Sequence, residues 1–436
     1  MSTHDSVLVA GDGGLTAAIV RDLQNAGVAT EWLHQPTDAE LSAGLARGPA
    51  AVGIVTRDDA LALRLALLVA HKRPDVRLVV TIFDRTVAEQ LRRAVIGCVV
   101  VSMADLVAGP LAASCVSVGA RTLRRGADGI EEIRIVDGRA VARPRRERGS
   151  ARAKHWLDRL AGALHPFELS GRILVLGLFG LVLMLTIDVV VGVTALHERF
   201  VQSFFLGVRT LVAVGPNNRI ARASDAVELV SSATMIGALA SAAVFTAGLI
   251  NRLQEPRRVS ILGRRWMPRR DHVVVVGLGQ VGLRVALVLR DAGIPVVGIE
   301  RNAASTGVRL AKRYGLPVVV TEGSDRELMR RLSLHRARAL AAVTSDDLGN
   351  VAIALAARAV APDLRIVLRF GDGDIAAETD SLLHVGIVRD AHRLAGAGLA
   401  AAVRGWQPGE VVHGPDGELL LVGADGRVEP AEPTAA

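Results

Sequence analysis

Two α/β domains, copies of one another, set before and after an α-helical module with two membrane spans, are the fold class that the sequence predicts. Three observations predict it. The stretch "VVVVGLGQVGLRVALVLRDAGIPVVGIERN" (Val273 to Asn302) reads as strand, glycine turn and helix; two apolar runs are long enough to cross a bilayer; and the two ends of the chain share a repeat. A chain of 436 residues, 50% hydrophobic and only 3% aromatic, is too long for one core and suits two or three domains with a membrane-embedded part. Its formal charge of +8 calls for a polyanionic partner, nucleic acid or the anionic face of a membrane, and the positions of the arginines must decide between them. Cys98 and Cys115 lie in apolar or small-residue runs, which points to buried thiols in a reducing compartment rather than a disulfide framework. The N-terminal "MSTHDSVLVAGDGG" has no basic segment followed by a long apolar one, so the first domain is expected to stay cytosolic.

In the first of these stretches, Gly277-x-Gly279-x-x-Gly282 follows four valines and opens an apolar helix. Gly277 permits the tight turn, Gly279 lets backbone approach a pyrophosphate, and Gly282 allows close packing of helix on strand, with the helix N-terminus facing the phosphates. Glu300 ends the next strand, where a carboxylate accepts hydrogen bonds from a ribose diol and repels a 2'-phosphate. This context makes the unit Rossmann-like and a candidate for dinucleotide or adenine-nucleotide binding.

The two apolar runs come earlier in the chain. "ILVLGLFGLVLMLTIDVVVGVTAL", Ile173 to Leu196, carries a single charge, Asp188, and as a helix rising about 1.5 Å per residue is longer than the hydrocarbon core requires. The second run, about Val227 to Ile250, is rich in Ala, Ser and Gly, with Gly237 and Ser241 spaced as in close-packed membrane helices. Nine Lys or Arg lie between Arg139 and Arg172 and seven between Arg252 and Arg270, against four arginines from His197 to Asp225. The positive-inside rule therefore puts both flanks, and both termini, in the cytoplasm and the connecting loop outside. With the basic excess explained by topology and lipid, no nucleic-acid partner is expected.

The repeat joins residues 1–140 to residues 271–403. "TRDDALALRLALLVAHKRPDVRLVVTIFD" from Thr56 aligns without gaps to "TSDDLGNVAIALAARAVAPDLRIVLRFGD" from Thr344, at an offset of 288, whereas Gly11 pairs with Gly277 at 266. The difference, 288 − 266 = 22 residues, means that a strand-plus-helix segment has been shortened in the first copy. That copy also fails as a nucleotide site. Asp12 puts a negative charge in its turn, Thr16 replaces the third glycine, and Trp32, Leu33 and His34 offer no acidic residue at the second strand.

Taken with "TEGSDRELMRRLSLHRARALAAVTSDDLGNVAIALAARAVAPDLRIVLRF" (Thr321 to Phe370), the glycine turn and acidic strand end resemble the domain that regulates potassium conductance, the RCK or Trk-type N-domain. The resemblance covers residues 271–403 and, in shortened form, 5–116. It implies a bound NAD(H) or adenine nucleotide (ATP or ADP) and domains that pair into dimers and gating rings. It places ligand contacts at Gly277, Gly279, Gly282, Glu300, Gly323, Thr344, Asp346, Asp347 and Asn350, with Gln280, Val281, Arg301 and Ser324 beside them. One departure stands out: the family has Asp after the glycine at position 323, and this chain has Ser324 with Asp325 one place later.

Between the spans, "SFFLGVRTLVAVGPNN" (Ser203 to Asn218) is similar to a potassium-channel pore helix and filter of the form ALYWAVVTLTTVGYGD. Thr210, Leu211, Val214 and Gly215 are kept and Val212 stands before the filter; Ala213, Pro216, Asn217 and Asn218 replace threonine, tyrosine, glycine and aspartate. A filter-like turn survives, but a full cage of carbonyls is not expected. Asp188 reads either as a hydrogen-bonding partner between helices or as a conduction residue.

The expected organisation is a shortened, nucleotide-free domain (1–140), a basic linker (141–170), a two-helix pore-like module (171–252) with a re-entrant loop (200–219), a second basic linker (253–270), a nucleotide-binding domain (271–403) and a short C-terminal tail (404–436). The expected function is a nucleotide-regulated channel or transport protein for a monovalent cation, potassium above all, homotetrameric through its pore module and not an enzyme; no metal site is expected. A non-conducting nucleotide sensor or regulatory subunit and, with less support, a membrane-bound NAD-dependent oxidoreductase are the alternatives.

Overall fold

The computed structural model describes residues 6–126, 129–145, 169–212, 223–254, 268, 270–371, 384–406, 409–415, 417–423 and 425–431. It divides into two compact units, one of Met1–Gly149 with Ser260–Ala436 and one of Ser150–Val259.

The first unit begins with β1 (Val7–Gly11), α1 (Gly13–Asn25), β2 (Thr30–Leu33), α2 (Asp38–Ala46), β3 (Ala51–Val55), α3 (Asp59–Lys72), β4 (Arg77–Thr81), α4 (Arg85–Ala94) and β5 (Val99–Val101). The strands form one parallel sheet in the order β2-β1-β3-β4-β5. Its central strands are apolar throughout because helices cover both faces, the pattern expected of a parallel sheet. Helix α5 (Met103–Val116) follows, then β6 (Thr122–Gly126), β7 (Gly129–Val136) and β8 (Arg139–Pro144) in an antiparallel sheet.

The second unit holds three helices, α6 (Leu169–Thr194), α7 (Phe200–Leu211) and α8 (Asp225–Gln254). Within α6 and α8, Ile173–Thr194 and Asp225–Ile250 are long and apolar enough to cross a membrane. Few of their side chains are buried; Leu176, Phe179, Ile236 and Leu239 are exposed, as lipid-facing residues are rather than the core of a soluble protein. The two helices pack along each other through glycine. A Cβ on Gly177 would lie 2.5 Å from the backbone nitrogen of Phe245, and one on Gly248 2.7 Å from that of Leu174. Gly237 and Ser241 lie on the same contact face, against Met184 and Gly180. Asp188 bridges the pair, its Oδ1 accepting from the Thr234 hydroxyl at 2.7 Å.

The chain then returns to the first unit as β9 (Val273–Val276), α9 (Gln280–Asp291), β10 (Val296–Glu300), α10 (Thr306–Arg313), β11 (Val318–Val320), α11 (Arg326–Arg331), β12 (Ala339–Ala342), α12 (Asp347–Val360), β13 (Arg365–Phe370), β14 (Ile387–Asp390) and α13 (Ala391–Val403). The sheet order is β11-β10-β9-β12-β13-β14, all parallel. Set beside the first sheet, this shows what the shorter copy lacks: the helix matching α10 and the strand matching β11, since α2 packs on α3 as α11 packs on α12. Because β11 is an edge strand, its loss leaves the central pairing of β1 with β3 intact.

The two copies share one core. Helix α5 of the first packs on α9 of the second, and α13 of the second packs on α1 of the first. Both crossing helices are rich in Ala and Gly and are buried almost along their whole length, which lets their backbones approach closely. Arg284 on α9 pairs with Asp105 on α5 at 2.9 Å, and Arg125 on β6 pairs with Asp291. Cys115 is buried in this core and Cys98 half-buried; burial pushes their thiols up to about 12 and about 11, so both stay protonated, as the sequence implied.

Two stretches differ from expectation. Residues 141–144, set in the linker, belong to β8, and the C-terminal segment set aside as a tail carries β15 (Glu410–His413), β16 (Leu419–Val422) and β17 (Val428–Pro430), an antiparallel sheet. The turn signals were legible: Asp137-Gly138, Gly417 and Gly426 all take positive φ where the hairpins reverse. The strands between them are only three to eight residues long, too short for an alternating apolar pattern to stand out from the surrounding loops.

Candidate functional site

Both sheets reverse their strand order beside the first strand, so the β1 and β9 turns open at the crevice where α/β sheets bind ligands. In the second copy Gly277 has φ +92, and a Cβ there would press on the backbone of Thr344 at 2.9 Å. Gly279 is the N-cap of α9 in extended conformation, no side chain caps the helix, and a Cβ on it would meet nothing within 4 Å. The N-terminus of α9 is therefore left with unsatisfied N–H groups and open space above them, the arrangement that receives a phosphate. Gly282 has the opposite surroundings: its Cβ would fall 1.8 Å from the carbonyl oxygen of Gly277.

Glu300 is held at the end of β10 by backbone. Its Oε2 accepts from the Leu278 N–H at 2.9 Å and its Oε1 from the Asn302 N–H at 3.1 Å. The carboxylate is thus fixed beside the glycine turn before any ligand arrives. Sequence reasoning missed Gly307: a Cβ there would lie 1.6 Å from the carbonyl oxygen of Leu278, so the first turn of α10 backs directly onto the glycine turn. Thr306-Gly307 so soon after an acidic strand end was the only available hint.

The Thr-x-Asp-Asp segment does structural work. Asn350 is fully buried; its Oδ1 accepts from the Thr344 N–H at 3.0 Å and hydroxyl at 2.8 Å, and its Nδ2 donates to the carbonyls of Arg369 at 2.8 Å and Thr344 at 3.2 Å. Asp346 caps α12 by accepting from the Gly349 N–H at 2.9 Å, and Asp347 accepts from the Gly371 N–H at 2.9 Å. The first copy repeats these jobs: Asp58 caps α3, and Asp59 accepts from the N–H groups of Phe83 and Asp84 at 2.9 and 2.8 Å. Ser324 is exposed, and Asp325 beside it caps α11 through the N–H groups of Glu327 and Leu328. Asn350→Ala removes four hydrogen bonds from a buried loop and should destabilise the α/β unit by about 3 kcal/mol; thermal unfolding at the wild-type temperature would show that the latch carries no weight.

The first copy's turn is as open at Gly13 as the second's is at Gly279, and no side chain caps α1, but its polar groups are engaged differently. The Trp32 indole donates to the Gly11 carbonyl at 2.9 Å, Thr16 donates to the Asp12 carbonyl at 2.8 Å, and Asp12 pairs with Gln35. Trp32 stacks on His34 with ring centroids 3.8 Å apart.

The two turns face one cavity of about 1230 Å³, above the roughly 300–1,000 Å³ of a typical small-molecule site. Gly277, Gly279, Gln280, Val281, Glu300, Arg301, Gly323, Ser324, Thr344 and Asp346 line it from the second copy; Gly282, Asp347 and Asn350 do not. The first copy supplies the opposite wall, including Asp12, Gln35, Arg57 and Asp58, a contribution that sequence reasoning did not foresee. Of the pore residues, Thr210 is in the last turn of α7, its hydroxyl on the Leu206 carbonyl at 3.1 Å, and Val212 is the exposed C-cap. Ala213, Val214, Gly215, Pro216 and Asn217 lie outside the described residues.

Residues 273–385, the stretch with the open turn, match the family model described as TrkA-N domain. This segment is a TrkA-N domain. Relatives of the chain include Potassium channel protein 1 of Methanocaldococcus jannaschii, 24% identical over 205 residues (44% of this chain, 60% of that protein). The Trk system potassium uptake protein TrkA of Streptomyces coelicolor is 36% identical over 87 residues (20% and 39%), and the voltage-gated potassium channel Kch of Escherichia coli 22% over 179 (40% and 43%). The chain spans between 16 and 60% of the length of the curated relatives it matches. Among solved structures, the GsuK RCK domain covers 92% of this chain and 77% of its own at TM-score 0.50 and 14% identity. The GsuK channel bound to NAD also covers 92% of this chain, and 64% of its own, at TM-score 0.50 and 14% identity. At that identity these neighbours carry the fold, Rossmann-like sheets of the RCK type around the TrkA-N segment. The sequence relatives named here are potassium channels or a potassium uptake protein rather than enzymes.

Proposed function

We propose that the chain is a nucleotide-regulated channel or transport protein for a monovalent cation, potassium above all, with a degenerate selectivity filter. The observation that carries this reading is the uncapped N-terminus of α9 under open space with the Glu300 carboxylate fixed beside it; the first copy's helix start is equally open, but it carries the negative charge of Asp12, joined to Gln35, and has Trp32 on the Gly11 carbonyl in place of an acidic strand end. An NAD(H) or adenine nucleotide would be held by Gly277, Gly279, Gln280 and Val281 at its phosphates and by Glu300 at a ribose. The glycine-packed helices α6 and α8 supply the membrane module, both termini are cytoplasmic, and copies assemble as a tetramer around the pore. Binding in the TrkA-N segment acts on the pore through the arginine-rich linker between α8 and β9.

Ligand choice gives one test. The fixed Glu300 carboxylate repels a 2'-phosphate, so Glu300→Gln should lower the preference for NAD over NADP about tenfold. Wild-type protein that is stabilised equally by both dinucleotides in a thermal-shift titration would contradict the assignment. The substituted filter gives another. Without the filter threonine and tyrosine, conductance should discriminate weakly among monovalent cations, and a reversal potential near the potassium equilibrium value in a potassium-sodium gradient would refute that. The same four substitutions favour a second reading, a membrane-anchored nucleotide sensor that conducts nothing, which complete silence in vesicles would establish.

A further inference from the structure

Guanidinium groups from different copies reach the same cavity. Arg57, in the loop after β3, is exposed, and its side chain has no hydrogen bond or ion pair among the described residues. Arg369, on β13, is only 7% exposed; its Nη1 donates to the Thr344 carbonyl at 2.8 Å, and its Nε has no hydrogen-bond partner among the described residues. The two are near enough to feel each other. Burial pulls the Arg369 guanidinium down, Asp347 opposes this, Arg57 adds to it and Asp390 opposes it again. His392, between Gly14 of one copy and Gly371 of the other, is pulled down by burial and by the charges of Arg369 and Arg57, against a hydrogen bond with the Gly371 backbone and the charge of Asp390.

The wall's carboxylates are largely engaged elsewhere. Asp58 and Asp346 cap helices, Asp59 and Glu300 accept from backbone N–H groups, and Asp12 holds Gln35; Glu322 also lines the wall, and Asp347 and Asp390 offset part of the Arg369 charge, whereas Arg57 has no ion pair among the described residues. Two like charges facing one cavity repel, and a buried guanidinium with an unused N–H is costly, unless an anion lies between them. Phosphate matches that demand, since guanidinium groups bind its oxygens bidentately.

We propose that Arg57 and Arg369 form an anion subsite at the seam between the copies, which takes the terminal phosphate of a nucleoside di- or triphosphate held on the second copy's glycine turn. The proposal rests on the nucleotide reading above and sharpens it, because NAD and AMP lack a second phosphate that ends in free oxygens. The second copy carries Ser345 where the first has Arg57. The copy whose own turn carries an aspartate thus lends its positive charge to the other.

Calorimetric titration of the full chain in detergent with ATP, ADP, AMP, NAD and inorganic phosphate tests this. Arg57 is exposed, so Arg57→Gln should fold as wild type. It should weaken ATP and ADP about tenfold, the worth of a charge-assisted contact, and leave AMP and NAD within about twofold. If Arg57→Gln leaves ATP unchanged, or weakens AMP as much as ATP, the subsite is overturned while the nucleotide reading stands. If wild-type protein binds inorganic phosphate but none of the nucleotides, both are overturned.

Discussion

Gly279→Asp should abolish nucleotide binding, lowering affinity at least 100-fold, without unfolding the protein. Two effects separate here because of where Gly279 sits. A side chain at this position meets no atom within 4 Å and the backbone is extended, so an aspartate fits without strain. Aspartate is moreover a favoured N-cap, so the ligand-free protein should keep its stability or gain about 0.5 kcal/mol. That carboxylate would occupy the N–H groups that a phosphate needs and repel it at close range, and charge repulsion in a partly buried cleft of several kcal/mol accounts for the expected factor. The readout is nucleotide-dependent thermal stabilisation. Retained stabilisation would remove the α9 N-terminus from the binding site. The first copy offers a partial precedent: Asp12 stands at the N-cap of α1, where its carboxylate accepts from Gln35 and not from the helix N–H groups.

Gly282→Ala should have the opposite profile, a loss of about 3 kcal/mol in folding stability before any ligand is considered. Gly282 lies in the first turn of α9, where helix propensity alone would favour alanine by roughly 1 kcal/mol. The contact decides the sign, because the new methyl would lie 1.8 Å from the Gly277 carbonyl oxygen and 2.9 Å from the Val343 side chain. The carbonyl belongs to the glycine turn itself, so relief requires the turn to move. A variant that melts at or above the wild-type temperature would mean that α9 does not approach β9 as closely as described.

Why the sequence revealed some of this and hid the rest follows from the range of each interaction. The glycine turn, Glu300 and the missing segment of the first copy are local patterns, each set by neighbours along one strand, turn and helix, and they were readable. The two apolar helices were readable for the same reason. Gly307 was not, because its glycine is demanded by a carbonyl 29 residues away, at Leu278. Arg57 was hidden more deeply: it reaches the candidate site only because α5 and α13 cross and set the two copies face to face. Asp346, Asp347 and Asn350 show the converse. Their spacing suggests ligand contacts, yet it is the loop's own N–H and C=O groups that occupy their polar atoms, a demand the first copy shares at Asp58 and Asp59.

The central claim is that a nucleotide on the second copy's turn controls cation movement through the membrane module. The direct measurement is potassium flux from vesicles reconstituted with wild-type protein and with Gly279→Asp, each with and without ATP, ADP, NAD and NADH. The account predicts that at least one nucleotide changes wild-type flux severalfold, and that Gly279→Asp conducts at the same level whether or not it is present. Wild-type flux indifferent to every nucleotide, or an equal response in the variant, would contradict it.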